Sequence, residues 1–200
     1  GDSQSPLDGQ TYYGDGDAFI SKFNPDGTKK WTRTLGTSDR DWANALTTGA
    51  DGSIYMTGLA EADLDGQTYS GIYDAFISKF NPDGTKEWTR LLGTSGYDEG
   101  RALTTGVDGS IYIAGDTYGD LDGQTNNGMR DAFISKFNPD GTKEWTRLLG
   151  SSSWDEGRAL TTGSDGSIYI AGETSGDLDG QTNNGMRDAF ISKFNPDGTK

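Results

Sequence analysis

Residues 74–93 read DAFISKFNPDGTKEWTRLLG, two short runs of strand-forming residues joined by Asn-Pro-Asp-Gly. Pro82 presets φ for the reversal, and Gly84 can take the positive φ that a tight turn needs. The stretch therefore reads as a β-hairpin with strands at 74–80 and 86–93. Its first part, DAFISKFNPDGTK, occurs four times, starting at Asp17, Asp74, Asp131 and Asp188, with a constant step of 57 residues. A tandem array without insertions or deletions makes the 57-residue unit the object to explain.

The rest of the unit repeats the pattern. RALTTG (101–106) and SIYIAG (110–115) flank an Asp-Gly turn and predict a second hairpin. Gly or Pro interrupts every window long enough for a helix, and no stretch sustains a 3.6-residue period. The fold class expected is all-β. Four short antiparallel strands at a fixed period, with one long loop at 116–130, predict a β-propeller of four-stranded blades. About three and a half repeats are present: units 1–57, 58–114, 115–171 and a partial 172–200. The small residues of ALTTG suit the crowded innermost strand, called A here, followed outward by SIYIA (B), DAFISKF (C) and the tryptophan-bearing KEWTRLLG (D). The chain then reads C D, A B C D, A B C D, A B C, or thirteen strands.

Composition narrows the chemistry. Hydrophobic residues make up 31% and the net charge is −14, a balance that by itself describes a disordered chain. Against it stand 8 Phe, 9 Tyr and 5 Trp at fixed repeat positions and 31 Gly placed at turns, so the pattern decides for a folded array. Cys and His are both absent, which excludes disulfides, thiolate or imidazole metal sites and His-activated nucleophiles. A pI near 4.2 argues against nucleic acid, whose phosphates need clustered Lys and Arg. No apolar run reaches membrane-span length, so no membrane insertion is expected.

DAFISKFNPDGTKEWTRLLG followed by DEGRALTTGVDGSIYIAG resembles the SBBP β-propeller repeat family of bacteria and archaea. The resemblance covers the whole chain. It implies propeller architecture and an extracellular or cell-surface location, and it assigns no activity.

Differences between units suggest where a ligand would bind. Units 58–114 and 115–171 differ at 12 positions. Eleven fall in the B–C and D–A connections, which leave an up-and-down blade on one face. Arg40, Tyr97 and Trp154 occupy one equivalent site there, and Tyr12, Tyr69, Asn126 and Asn183 another; both are candidate ligand-binding positions, while free drift of long loops explains the same variation. Acidic loops are the second clue: DLDGQT places Asp63 and Asp65, Asp120 and Asp122, and Asp177 and Asp179 two apart. Such pairs ahead of Gly can ligate calcium, the one cofactor suggested, or can cap their own turns. The first copy has Pro6 in place of the leading Asp. Asp98-Glu99 and Asp155-Glu156 recur as acidic pairs, replaced by Asp41-Trp42 in the first unit.

Every candidate acid recurs with the repeat and no positioned base accompanies it, so no enzyme activity is expected. Two readings follow: a structural or interaction scaffold outside the cell, or a lectin-like, multivalent glycan-binding module with calcium. Cut blades would be completed by a second copy of the chain or by further sequence of a longer protein.

Overall fold

A computed structural model describes residues 1–200 and contains strands without helices. β1 (Asp2–Ser3), β2 (Asp17–Phe23) and β3 (Lys29–Leu35) make a three-stranded sheet. β4 (Asp41–Thr48), β5 (Ile54–Ala60), β6 (Asp74–Phe80) and β7 (Lys86–Leu92) make a four-stranded one. β8 (Asp98–Thr105), β9 (Ile111–Thr117), β10 (Asp131–Phe137) and β11 (Lys143–Leu149) repeat it, and β12 (Asp155–Thr162), β13 (Ile168–Thr174) and β14 (Asp188–Phe194) form the last sheet. All pairings are antiparallel between chain neighbours, so each complete sheet is an A-B-C-D meander. The hairpins at 74–93 and 101–115 are as the turns predict: Gly84 sits at φ 86° and the Gly84 N–H donates to Asn81 O at 2.9 Å.

Two details correct the sequence reading. Fourteen strands are present, not thirteen, because Asp2 and Ser3 pair with Ala18 and Asp17. Asp and Ser are poor strand formers, and their strand is made by the β2 edge they meet rather than by propensity. They occupy the repeat positions of Leu59 and Ala60, the last residues of β5. Strands A and B are also longer than the RALTTG and SIYIAG runs, starting at Asp98 in β8 and reaching Thr117 in β9. Two of the substitutions assigned to the B–C connection, at 59/116 and 60/117, therefore lie at strand ends.

The four sheets stand side by side as blades, and period-2 alternation in strand C explains how. Phe76 and Phe80 of β6 join Ala18, Ile20 and Leu35 of the first blade in one core. Ala75 and Ile77, on the opposite face, join Leu103, Ile113, Phe133 and Phe137 of the third blade in another. The third blade repeats the arrangement: Ala132 and Ile134 pack with Ile168, Ile170 and Phe194 of the fourth. Every complete blade is thus apolar on both faces, as a propeller requires. Faces without a neighbour are exposed: Phe23 is 57% and Ile191 73% accessible, whereas their equivalents Phe80 and Ile77 are buried. No sheet pairing or core cluster joins the first blade to the fourth.

Radial order also follows the sequence. A strands meet one another at the inner edge, where Thr105 Oγ1 donates to Thr48 O and Thr162 Oγ1 to Thr105 O, at 3.3 and 3.0 Å. D strands lie outermost and clasp the next blade's NPDG turn. Trp88 Nε1 donates to Pro139 O at 3.2 Å and Arg90 Nε to Gly141 O at 3.0 Å. Gly141 combines φ 82° with a face against the Trp88 ring, where an added methyl would lie 2.8 Å from Cδ2; no other residue meets both demands.

Candidate binding face

The B–C and D–A connections share one rim, and backbone hydrogen bonds lock them together there. Tyr97 of the D–A connection forms a parallel bridge with Tyr73, which precedes β6. On its other side, Tyr97 O accepts the N–H of Tyr118, just past β9, at 3.0 Å. Each D–A residue of this type is therefore wedged between the B–C loop of one blade and the end of strand B in the next. Trp154 repeats the geometry, bridging Arg130 and accepting from Ser175 N at 2.8 Å.

That interleaving lines up aromatic side chains contributed by different loops. Tyr73 and Tyr97 meet at 5.0 Å between ring centroids, Tyr97 and Tyr118 at 5.2 Å, and Tyr118 and Trp154 at 6.4 Å. These separations and the tilted or edge-on orientations are those of favourable aromatic pairs. Tyr97 is 40%, Tyr118 36% and Trp154 37% accessible, so one side of the row faces solvent across three blades. Met129 extends it, with its Sδ accepting from Trp154 Nε1 at 3.0 Å.

Beneath the row lies a buried ion network. The Arg130 guanidinium, 5.4 Å from the Tyr118 ring centre, donates to Asp116 Oδ2 and Glu156 Oε1 at 2.6 Å each. Arg101, the extra residue of a β-bulge between Gly100 and Ala102, donates from Nε to Asp116 Oδ1 at 2.5 Å. The bulge aims that side chain off the regular pleat. Charges held on both sides in this way fix the third blade against the fourth under the rings. One blade earlier the equivalents of Arg101, Asp116 and Arg130 are Asn44, Leu59 and Tyr73, so the network exists only in the later units.

The sequence candidates separate into two groups. Tyr97 and Trp154 lie in the row, joined through Tyr118; Arg40, at their repeat position, lies 5.9 Å over Trp42. Tyr12, Tyr69, Asn126 and Asn183 are only half-exposed. Asn126 Nδ2 donates to Thr117 O at 3.1 Å and its Oδ1 accepts from Gly128 N at 2.9 Å, and Asn183 repeats both contacts with Thr174 O and Gly185 N. Burial, with the charges of Asp74 and Glu61, pushes the Tyr69 hydroxyl up to about 12. Tyr73, Tyr118, Met129 and Arg130 were not singled out from sequence. Their signal was present, since 73/130 and 118 fall among the variable positions, yet it names a loop and not the neighbour each ring meets.

The carboxylates of the DLDGQT loops are engaged by the protein. Asp63, Asp120 and Asp177 each accept, through Oδ1, the N–H of residue 69, 126 or 183 at 2.8–2.9 Å. Asp65 accepts from Thr89 Oγ1 at 2.5 Å and pairs with Lys86; Asp122 does the same with Thr146 and Lys143. Asp179 pairs with Lys200. Asp65, Asp122 and Asp179 adopt φ of 52–53°, a left-handed conformation that Asp tolerates in turns. These loops thereby tie B–C to the start of strand D.

Comparison with known proteins agrees with this architecture. Residues 87–122 and 144–179 match the SBBP β-propeller repeat, and residues 163–200 match a β-propeller domain of unknown function, DUF5122. Regulatory protein FlaEY of Caulobacter vibrioides is 32% identical over 170 residues, spanning 76% of this chain and 18% of that protein. An uncharacterized WD repeat-containing protein of Acanthamoeba polyphaga mimivirus is 26% identical over 180 residues, spanning 67% of this chain and 13% of that protein. The chain thus spans less than a fifth of either relative's length. With two matched repeats and blades that recur every 57 residues, the chain is an array of SBBP-type β-propeller repeats.

Proposed function

We propose that this array is a non-catalytic interaction scaffold, located outside the cell or at its surface, with the aromatic row as its docking face. One observation carries the reading: four rings from different loops form a continuous, half-exposed row across three blades. Rings of this kind supply large contact area with little rotamer entropy to lose. The printed names of the relatives, a regulatory protein and a WD repeat-containing protein, fit a scaffold, and the resemblance to surface and secreted repeat proteins supports the location. Self-association, which with further sequence of a longer protein is one of two ways to complete the cut blades, belongs to the same reading, because β14 pairs with β13 alone and an unpaired strand edge is a template for another chain. Light scattering tests that part: a discrete dimer supports it, and a monomer at all concentrations contradicts it.

A second reading, glycan recognition, is favoured by the exposed faces of Tyr97, Tyr118 and Trp154. The experiment is a comparison of the chain with its Y97A/Y118A/W154A variant, each immobilised and probed with an extracellular protein fraction and with a glycan array. A protein retained by the parent chain and lost from the variant supports the scaffold; a glycan behaving that way supports the second reading. Equal retention by both chains removes the row from the binding face.

A further inference from the structure

A second chemistry is built into the blade junctions, away from the loop carboxylates that the sequence points to. The bridge between Tyr73 and Tyr97 is parallel, so the residues that follow, Asp74 opening β6 and Asp98 opening β8, sit side by side at the junction of blades two and three. Asp17 and Asp41 form the equivalent pair one junction earlier, and Asp131 and Asp155 one later. All six side chains are buried, at 0–1% accessibility.

The two oxygens of each carboxylate have different fates. Oδ2 caps a loop: in Asp74 it accepts from Ser70 N at 3.1 Å, and in Asp98 from Thr94 N and Oγ1 at 2.6 and 2.9 Å. The other two junctions repeat these bonds with Tyr13 and Thr37, and with Asn127 and Ser151. Oδ1 is shielded from solvent in all six and makes no well-formed hydrogen bond, with only the Thr117 hydroxyl beside the Asp98 carboxyl. Gly93, just past β7, packs against the Asp74 carboxylate, where a methyl would lie 2.1 Å from Oδ1.

Buried anionic oxygens without partners are costly, and two adjacent ones more so. No arginine or lysine side chain reaches any of the six Oδ1 atoms. The loop carboxylates such as Asp65, by contrast, have their lysines. With nitrogen and sulfur ligands absent from the sequence, the neutralising species fitting two neighbouring buried carboxylates is a hard cation.

We propose that each of the three junctions binds one divalent cation of the calcium type between its paired Asp Oδ1 atoms, fastening one blade to the next. A double positive charge cancels the two carboxylates locally. The remainder of the roughly six to eight oxygens that calcium prefers comes from water and the flanking loops. The proposal is independent of what docks on the aromatic row. Asp188 supplies an internal contrast, since it caps Asn184 N at 2.8 Å yet has no strand A beside it.

The test uses the full chain, stripped with EDTA and titrated with calcium chloride at pH 8 by calorimetry, alongside thermal melts with and without calcium. Expected are about three bound ions per chain and a melting temperature that rises with free calcium, as for any ligand bound by the native state alone. D98N should reduce the stoichiometry by one, while D122N, in a loop already neutralised by Lys143, should leave it unchanged. If D98N does not fold, the stoichiometry of the parent and D122N chains still decides. Absence of calcium binding, or binding lost in D122N and kept in D98N, overturns the proposal; absence of binding together with stability that falls as pH rises would assign each pair a shared proton instead.

Discussion

Ile20, Ile77, Ile134 and Ile191 occupy one repeat position in four blades, and the structure gives them different surroundings. Ile134 is 1% accessible, wedged among Ile168, Ile170 and Phe194 of the next blade, whereas Ile191 is 73% accessible. Replacing Ile134 with Ala removes three buried carbons, a transfer loss of about 2.4 kcal/mol at ~0.8 kcal/mol each, and the residual cavity raises the cost toward 3–4 kcal/mol, inside the roughly 2–5 kcal/mol range for such changes. Replacing Ile191 with Ala removes the same atoms from solvent and should cost no more than about 0.5 kcal/mol. Urea unfolding of the two variants measures the difference, read as midpoint shifts with the slope checked for constancy, because repeat arrays can lose cooperativity. Equal destabilisation by I134A and I191A would refute the blade-to-blade packing. So would a negligible effect of both.

Other perturbations have equally definite outcomes. In the metal-free chain, burial above all raises the carboxyls of Asp41 and Asp74 to about 7 and of Asp131 to about 6, helped by Asp17 and Glu61, Asp98, and Asp155 respectively. Between the ordinary value of 3.8 and these values the native chain holds more protons than the unfolded one, so stability falls as pH rises through 6–7. Melts across this range in EDTA should show the decline, and D74N, which stays neutral, should flatten it. G93A should destabilise the second blade, its methyl colliding with Asp74; far-UV melts should show a lower midpoint, and an unchanged one would discount the contact. D122G, which keeps the left-handed backbone but removes the exposed contacts to Lys143 and Thr146, should cost at most about 1 kcal/mol in urea titrations, whereas D122A adds conformational strain and should cost more.

Much of the architecture was legible in the residues. Period-2 alternation, Asn-Pro-Asp-Gly and Asp-Gly turns and a constant spacing locate every strand from β2 to β14, because each rests on local chemistry repeated four times. Asp2–Ser3 escaped since its strand is a property of pairing with β2. The aromatic row escaped for a related reason: Tyr73, Tyr97, Tyr118 and Trp154 come from four connections, and only the parallel bridges across the rim bring them into register. Likewise, Asp74 reads as the first residue of a strand and Asp98 as half of a recurring acidic pair. Their adjacency across a blade junction, 24 residues apart in the chain, is tertiary information. The DLDGQT carboxylates, conspicuous in sequence, hold lysines, hydroxyls and backbone amides, while the less conspicuous strand-opening aspartates keep unpartnered oxygens.

The central claim is that this chain is a row of blades, each covered by its neighbours and open on its two outer faces. Amide hydrogen exchange resolved by strand tests it most directly. The account predicts the slowest exchange in β6, β9 and β10, whose strands are flanked within their sheets and buried between blades, and much faster exchange in β14, whose sequence is identical to β6 and β10 but whose outer edge is unpaired. Equal protection of β6, β10 and β14 in the monomeric chain would contradict it.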